Sequence, residues 1–137
     1  MKRKEYLELY RIAEMARERS YSPYSGVSVG AALITEDGEI YTGANIENAA
    51  FGPTVCAERV AVFTAHHRGE RKFKAIAVAG GKHGEPSQPD FMPCGVCRQV
   101  LSELAGPSLV VITGGESGII TRTLGDLLPS AFGKDKL

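Results

Sequence analysis

Three cysteines fall in two short motifs, Cys56-Ala57-Glu58-Arg59 and Pro93-Cys94-Gly95-Val96-Cys97-Arg98-Gln99. Both motifs stand where a loop is expected to turn into a helix. A helix N-terminus presents unpaired N–H groups and partial positive charge. Both favour the thiolate and lower a cysteine pKa from its free value of about 8.5. Cys94 and Cys97 are three apart, so both can face one point from the first turn of a helix. Cys56 can add a third sulfur from the other helix start. Three protein ligands with a fourth position open is the pattern of a catalytic zinc, whereas structural sites usually close with four. There is no fourth cysteine. His66 and His67 fall about three helical turns beyond Cys56, too far to share its metal. Spacing alone leaves His83 open as a ligand.

Glu58 gives the cluster a second chemical function. An offset of two inside a regular helix points to nearly opposite sides, so Cys56 and Glu58 work together only across a helix start. There the carboxylate reaches water at the metal without ligating the metal. Three thiolates on a divalent ion leave a negative centre, and positive charge must offset it. Arg59 and Arg98 are placed to hydrogen-bond the sulfurs and draw off that charge. Plainer readings stand beside this one. Cys94 and Cys97 alone are also a redox-pair spacing, and a structural zinc with another fourth ligand is a further possibility. Taken singly, Glu58 complements a helix dipole, and the two arginines are surface charges.

The elements that must position these residues are legible in the periodicity. Tyr6, Leu9, Ile12, Ala13 and Ala16 mark one helical face over residues 4–19. Residues 20–26 are turn chemistry. A strand over 27–34, an Asp37-Gly38 turn and a returning strand over 39–45 read as a hairpin. A loop spans 46–55, and a helix follows over 56–67 with Gly69 as its stop. Residues 73–79 have strand composition, and 80–93 read as a Gly/Pro-rich loop. A helix over 95–105 ends at Gly106-Pro107. Strands over 109–113 and 118–123 follow, then a short helix near 124–128. The segment Gly114 to Gly118 reads as a turn; it lacks the spacing of a phosphate loop. The expected fold is α/β, a single domain over 1–137, with a mixed sheet of about five strands and helices on its faces.

Composition narrows the function classes. The chain has 137 residues, 43% hydrophobic and 23% charged, within the range of an ordinary globular domain. Sixteen basic and sixteen acidic residues leave no net charge, so no basic excess tracks a phosphate backbone and a nucleic-acid partner is not expected. No apolar run approaches about 18 residues, so no membrane segment is expected. The N-terminus lacks the apolar core of a signal peptide. Three cysteines, an odd number, argue for metal or catalytic roles in a reducing compartment, hence the cytoplasm.

The combined motifs resemble the small, zinc-dependent cytidine deaminases of nucleoside salvage, whose general pattern is Cys or His, then Glu, then Pro-Cys-x-x-Cys. The likeness runs over about residues 6 to 133. Ser22-Pro23-Tyr24-Ser25 and Val29-Gly30-Ala31-Ala32-Leu33 look like that family's first strand. Asn45-Ile46-Glu47-Asn48-Ala49 looks like its nucleoside-binding segment, and Leu127-Leu128-Pro129-Ser130-Ala131-Phe132 like its C-terminal one. The resemblance implies one Zn2+ per subunit on Cys56, Cys94 and Cys97, with Glu58 as proton shuttle and Arg59 on a cysteine sulfur. It implies that Asn45 and Glu47 bind the ribose 3′-hydroxyl and that the Ala57 backbone contacts the pyrimidine. Phe132 is implied to come from a neighbouring subunit, in a homotetramer with shared active sites.

The implied reaction replaces the 4-amino group of free cytidine or 2′-deoxycytidine, giving the uridine product and ammonia. Zinc lowers the pKa of a water it binds toward about 7. One carboxylate beside that water can pass a proton to ring N3 and then to the departing amine. Two positions depart from the pattern: Val27, where a Phe beside the base is usual, and Phe51, where a Tyr is usual. Both bear on substrate range. The Asn45-Ile46-Glu47-Asn48 segment favours an unmodified ribose, while Gly52-Pro53 and Val27 keep a modified cytosine nucleoside such as blasticidin S open as the alternative substrate. A non-enzymatic zinc-binding module is the third reading.

Overall fold

The computed structural model describes residues 2–115 and 118–137. Helix α1 (Arg3–Ala16) leads through a 3-10 turn (Arg17–Arg19) into strands β1 (Val27–Thr35) and β2 (Ile40–Ala44). Helix α2 (Ala57–His67), strand β3 (Phe73–Lys82) and helix α3 (Gly95–Leu104) follow, then β4 (Val110–Gly115), β5 (Gly118–Thr123) and the short α4 (Leu124–Leu127). One five-stranded sheet runs in the order β2-β1-β3-β4-β5. The pairs β1/β2, β1/β3 and β4/β5 are antiparallel and β3/β4 is parallel, with α3 carrying the crossover. This is the expected mixed α/β sheet.

Strand alternation sends side chains to two cores. On one face Leu9, Tyr10 and Ala13 of α1 pack on Ala32, Ala75, Ala77, Ala79, Ile112 and Ile119. On the other, Ala57, Ala61, Val62 and Ala65 of α2 and Leu101 of α3 cover Val29, Ala31, Leu33, Ile76, Val78 and Val111. Each fully buried Leu, Ile or Val contributes about 1.5–3 kcal/mol. Small residues set how closely the helices approach. A Cβ at Gly43 would run into the Ala57 carbonyl and lie 2.7 Å from the Ala61 nitrogen, so α2 crosses β2 backbone to backbone. That crossing places the start of α2, and with it Cys56, at the edge of the sheet.

Several boundaries differ from the sequence reading, each for a reason of packing. The first helix ends at Ala16 because Arg17 turns inward. Its Nε donates to the Ser28 carbonyl (2.9 Å), and its other nitrogens donate to Ser87 Oγ (3.0 Å) and the Lys82 carbonyl (3.1 Å). β3 continues three residues past Ala79, since Gly80 and Gly81 pair with Val29 and Ser28. β4 likewise takes in Gly114 and Gly115, expected as turn; the Tyr10 hydroxyl lies where a Gly114 side chain would be. Residues 116 and 117 of that expected turn lie outside the described residues. Pro23 to Ser25 form the expected turn ahead of β1, so of the segments that resemble the family's first strand only Val29 to Leu33 lies in it.

Candidate active site

Cys56 is the N-cap of α2 and Cys94 the N-cap of α3, both in extended conformation, and Cys97 occupies the first turn of α3. The three sulfurs lie within 4.8 Å of one another, and among the described residues they form the one such group of His, Cys, Asp or Glu. Cys56 Sγ and Cys94 Sγ are 3.8 Å apart. Two corners of a tetrahedral zinc site with Zn–S of about 2.3 Å are separated by about 3.8 Å, so the spacing fits the ion. His83 lies in a separate hollow with Glu14, Arg17 and Glu18, not with the sulfurs.

Hydrogen bonding from Cys97, with Arg59 and Cys94, holds Cys56 below the usual thiol range. The same hydrogen bond and burial hold Cys97 well above the usual thiol range. A divalent cation bound at this point would take over the protons' role. Arg59 donates to Cys56 Sγ at 3.4 Å, as expected. Arg98 does not reach the sulfurs. Its Nε donates to the Pro93 carbonyl (2.8 Å) and its NH1 nitrogen to the Leu127 carbonyl (3.0 Å), bracing the loop that delivers Cys94. Its guanidinium is held by these two backbone carbonyls, away from the sulfurs.

Glu58 is 3% exposed, and its Oε1 has no hydrogen-bond partner among the described residues. Burial raises its pKa to about 7, and the charge of a Cys56 thiolate adds to the shift. A buried carboxyl oxygen without a partner is costly unless something is meant to meet it. It faces a cavity of about 310 Å³ lined also by Cys56, Cys94, Val27, Val29, Asn45, Glu47, Phe91 and Met92. That volume is at the small end of ligand cavities, which run about 300–1,000 Å³.

Asn45, which also lines the cavity, follows β2 and is tied to β1. Its Oδ1 accepts from the Val29 N–H and the Ser20 hydroxyl, and its Nδ2 donates to the Val27 carbonyl. Glu47 accepts from the Tyr24 and Ser25 N–H groups (3.0 and 3.1 Å) and from the Ser25 hydroxyl. The Ser25 hydroxyl chiefly holds the Glu47 carboxyl below its usual range. Ser25, Phe91 and Met92 were not singled out from the sequence; Ser25 lay in a turn and the other two in an aperiodic loop. Ala57 is fully buried as the first residue of α2, whose N–H is one a helix leaves without an internal acceptor.

Two aromatic residues sit elsewhere. Phe51 is exposed at φ 58°, edge-on to Tyr24 with ring centroids 6.0 Å apart, in an adjoining hollow that also holds Glu47. Phe132 is 58% exposed, its carbonyl accepting from Gln99, on a surface hollow away from the sulfurs.

Comparison with known proteins agrees with this geometry. Residues 3–113 match the model of the cytidine and deoxycytidylate deaminase zinc-binding region. A cytidine deaminase of Sporosarcina psychrophila is 48% identical over 126 residues, 91% of this chain and 89% of that protein. The crystal structure of cytidine deaminase from Burkholderia pseudomallei superposes with a TM-score of 0.80 at 45% identity, covering 96% of this chain and all of the other. That from Mycobacterium tuberculosis gives 0.78 at 42%, covering 92% and 95%.

Proposed function

The chain belongs to the zinc-binding cytidine and deoxycytidylate deaminases, and from that membership we propose that it hydrolyses cytidine and 2′-deoxycytidine to uridine, 2′-deoxyuridine and ammonia. The observation that carries the reading is a buried carboxyl with one oxygen unpartnered among the described residues, facing a cavity that Cys56 and Cys94 of the three-sulfur cluster also line. Cys56, Cys94 and Cys97 are the residues that would hold zinc. The ion, when bound, supplies a Lewis acid that makes water a nucleophile near neutral pH.

The chain's own groups do the rest. Glu58, raised by burial to about 7, can accept and return a proton near pH 7. It takes the proton of the attacking water and gives it to N3 as the C4–O bond forms. It then takes the proton of the new C4 hydroxyl and delivers it to the 4-amino group, so that the C4–N bond breaks, the C4 carbonyl forms and ammonia leaves. Arg59 and the two helix starts draw negative charge from the sulfurs. Glu47 and Asn45 are the groups for the ribose hydroxyl. Glu47, held ionised by Ser25 and two backbone N–H groups, presents a fixed acceptor. The remaining side-chain proton of Asn45 is its free donor, since its oxygen is already used by Ser20 and Val29.

The assembly we propose is a homotetramer that brings Phe132 of one chain to the cavity of another. The exposure of Phe132 away from its own sulfurs supports it. Pyrimidine salvage in the cytoplasm is the setting that fits free thiols and a nucleoside substrate. No helix among the described residues is long and apolar enough to cross a membrane. The relatives' name favours plain cytidine over blasticidin S. A panel of cytidine, deoxycytidine, cytosine, blasticidin S and short single-stranded DNA tests the reading, with ammonia as readout. Turnover of the two nucleosides is expected; turnover of none, with one zinc per chain, would refute it.

A further inference from the structure

The connection between β3 and α3 is tied down more firmly than a surface loop requires. Asp90 sits at φ 53°, a backbone conformation uncommon outside glycine, asparagine and aspartate. Its N–H donates to the Gly114 carbonyl at 2.6 Å. Its carboxylate accepts from Thr113 Oγ1 (2.8 Å) and from both terminal nitrogens of Arg122 (2.7 and 3.0 Å). The same Arg122 reaches Met92 Sδ at 3.4 Å. A side chain on β5 therefore grips the residues on either side of Phe91. The ring of Phe91 is seated on Gly80: a Cβ there would fall 2.5 Å from two of its carbons. Phe91 and Met92 line the cavity that holds Glu58, Cys56 and Cys94. Among the side chains lining that cavity Phe91 is the one aromatic ring, and Val27, which shares the wall, is too small to stack on a base.

We propose that Phe91 is the aromatic wall of the pyrimidine pocket in this chain and a determinant of its substrate range, with the Asp90–Arg122 clamp as the device that positions it. The proposal rests on the deamination reading above. A ring fixed before the substrate arrives binds a planar base without the entropy of ordering a mobile side chain. Strand β5, remote from the sulfurs in sequence, thereby acts on base binding through a bidentate ion pair.

The test is steady-state deamination of cytidine by the zinc-loaded wild type, Phe91→Leu, Phe91→Ala and Arg122→Gln, with zinc content and Tm measured on each. Loss of a stacked ring should raise KM on the order of tenfold in Phe91→Ala. Phe91→Leu, which keeps apolar bulk and so guards against a folding failure, should raise KM about threefold. Arg122→Gln should move KM in the same direction by about twofold. In all three, kcat should stay within about threefold and zinc at one per chain. Wild-type turnover with KM unchanged in both Phe91 variants overturns the proposal alone, as does a fall in kcat that tracks zinc loss. A zinc-replete wild type with no turnover removes the deamination reading, and the proposal with it.

Discussion

At the scale of single residues, the chemistry rests on a carboxyl that the fold buries with one oxygen unpartnered among the described residues. Glu58→Gln keeps the shape and volume of the side chain but carries no exchangeable charge. We expect it to retain zinc and Tm and to lose about 10²–10⁴-fold in kcat; retention of wild-type kcat would show the proton passing elsewhere. The pH dependence follows in sign. Burial raises the carboxyl toward 7, and a neighbouring cation opposes that shift. The group must begin deprotonated, so kcat/KM should fall on the acid side with an apparent pKa at or below about 7. A limb lying clearly above 7 would contradict the assignment. The sulfurs, Glu58 and Arg59 were legible in the sequence because metal ligands and their helix starts have fixed local spacing. Arg98 differs because adjacency to Cys97 in sequence does not fix where its long side chain ends. The carbonyls that claim its guanidinium come from Pro93 and from Leu127, 29 residues beyond Arg98.

At the scale of elements, two helix starts must converge to within a few ångströms, and bare backbone contact sets that convergence. Gly43→Ala should push α2 from β2, because the new methyl meets the backbone at Ala57 and Ala61 rather than a flexible side chain. Overpacking of this kind costs about 1–3 kcal/mol. Urea denaturation should register that loss, and zinc affinity should fall with it, since Cys56 rides on the displaced helix end. Unchanged stability and affinity would mean that α2 is located by something else. The element order and the hairpin were readable from periodicity and from Asp37-Gly38. The ends of β3 and β4 were not. Glycine signals turns when read locally, but Gly80 and Gly114 are strand residues made bare by Phe91 and Tyr10 packing over them. Only the fold brings those pairs together.

At the scale of the whole molecule, the cavity of one chain is lined by Val27, Phe91 and Met92, while Phe132 stands exposed on a different surface. In the proposed tetramer, Phe132→Ala should raise KM for cytidine several-fold with zinc content unchanged; an unchanged KM would separate Phe132 from the site. Sedimentation should give the mass of four chains. The zinc position is where α2, α3 and the sheet edge meet, so its coordination reports on all three at once. X-ray absorption at the zinc edge of the purified, assembled protein is the most direct measurement. We expect three sulfur neighbours at about 2.3 Å and one lighter oxygen neighbour. Four protein ligands with no exchangeable position, or fewer than three sulfurs, would contradict a hydrolytic centre built from Cys56, Cys94 and Cys97.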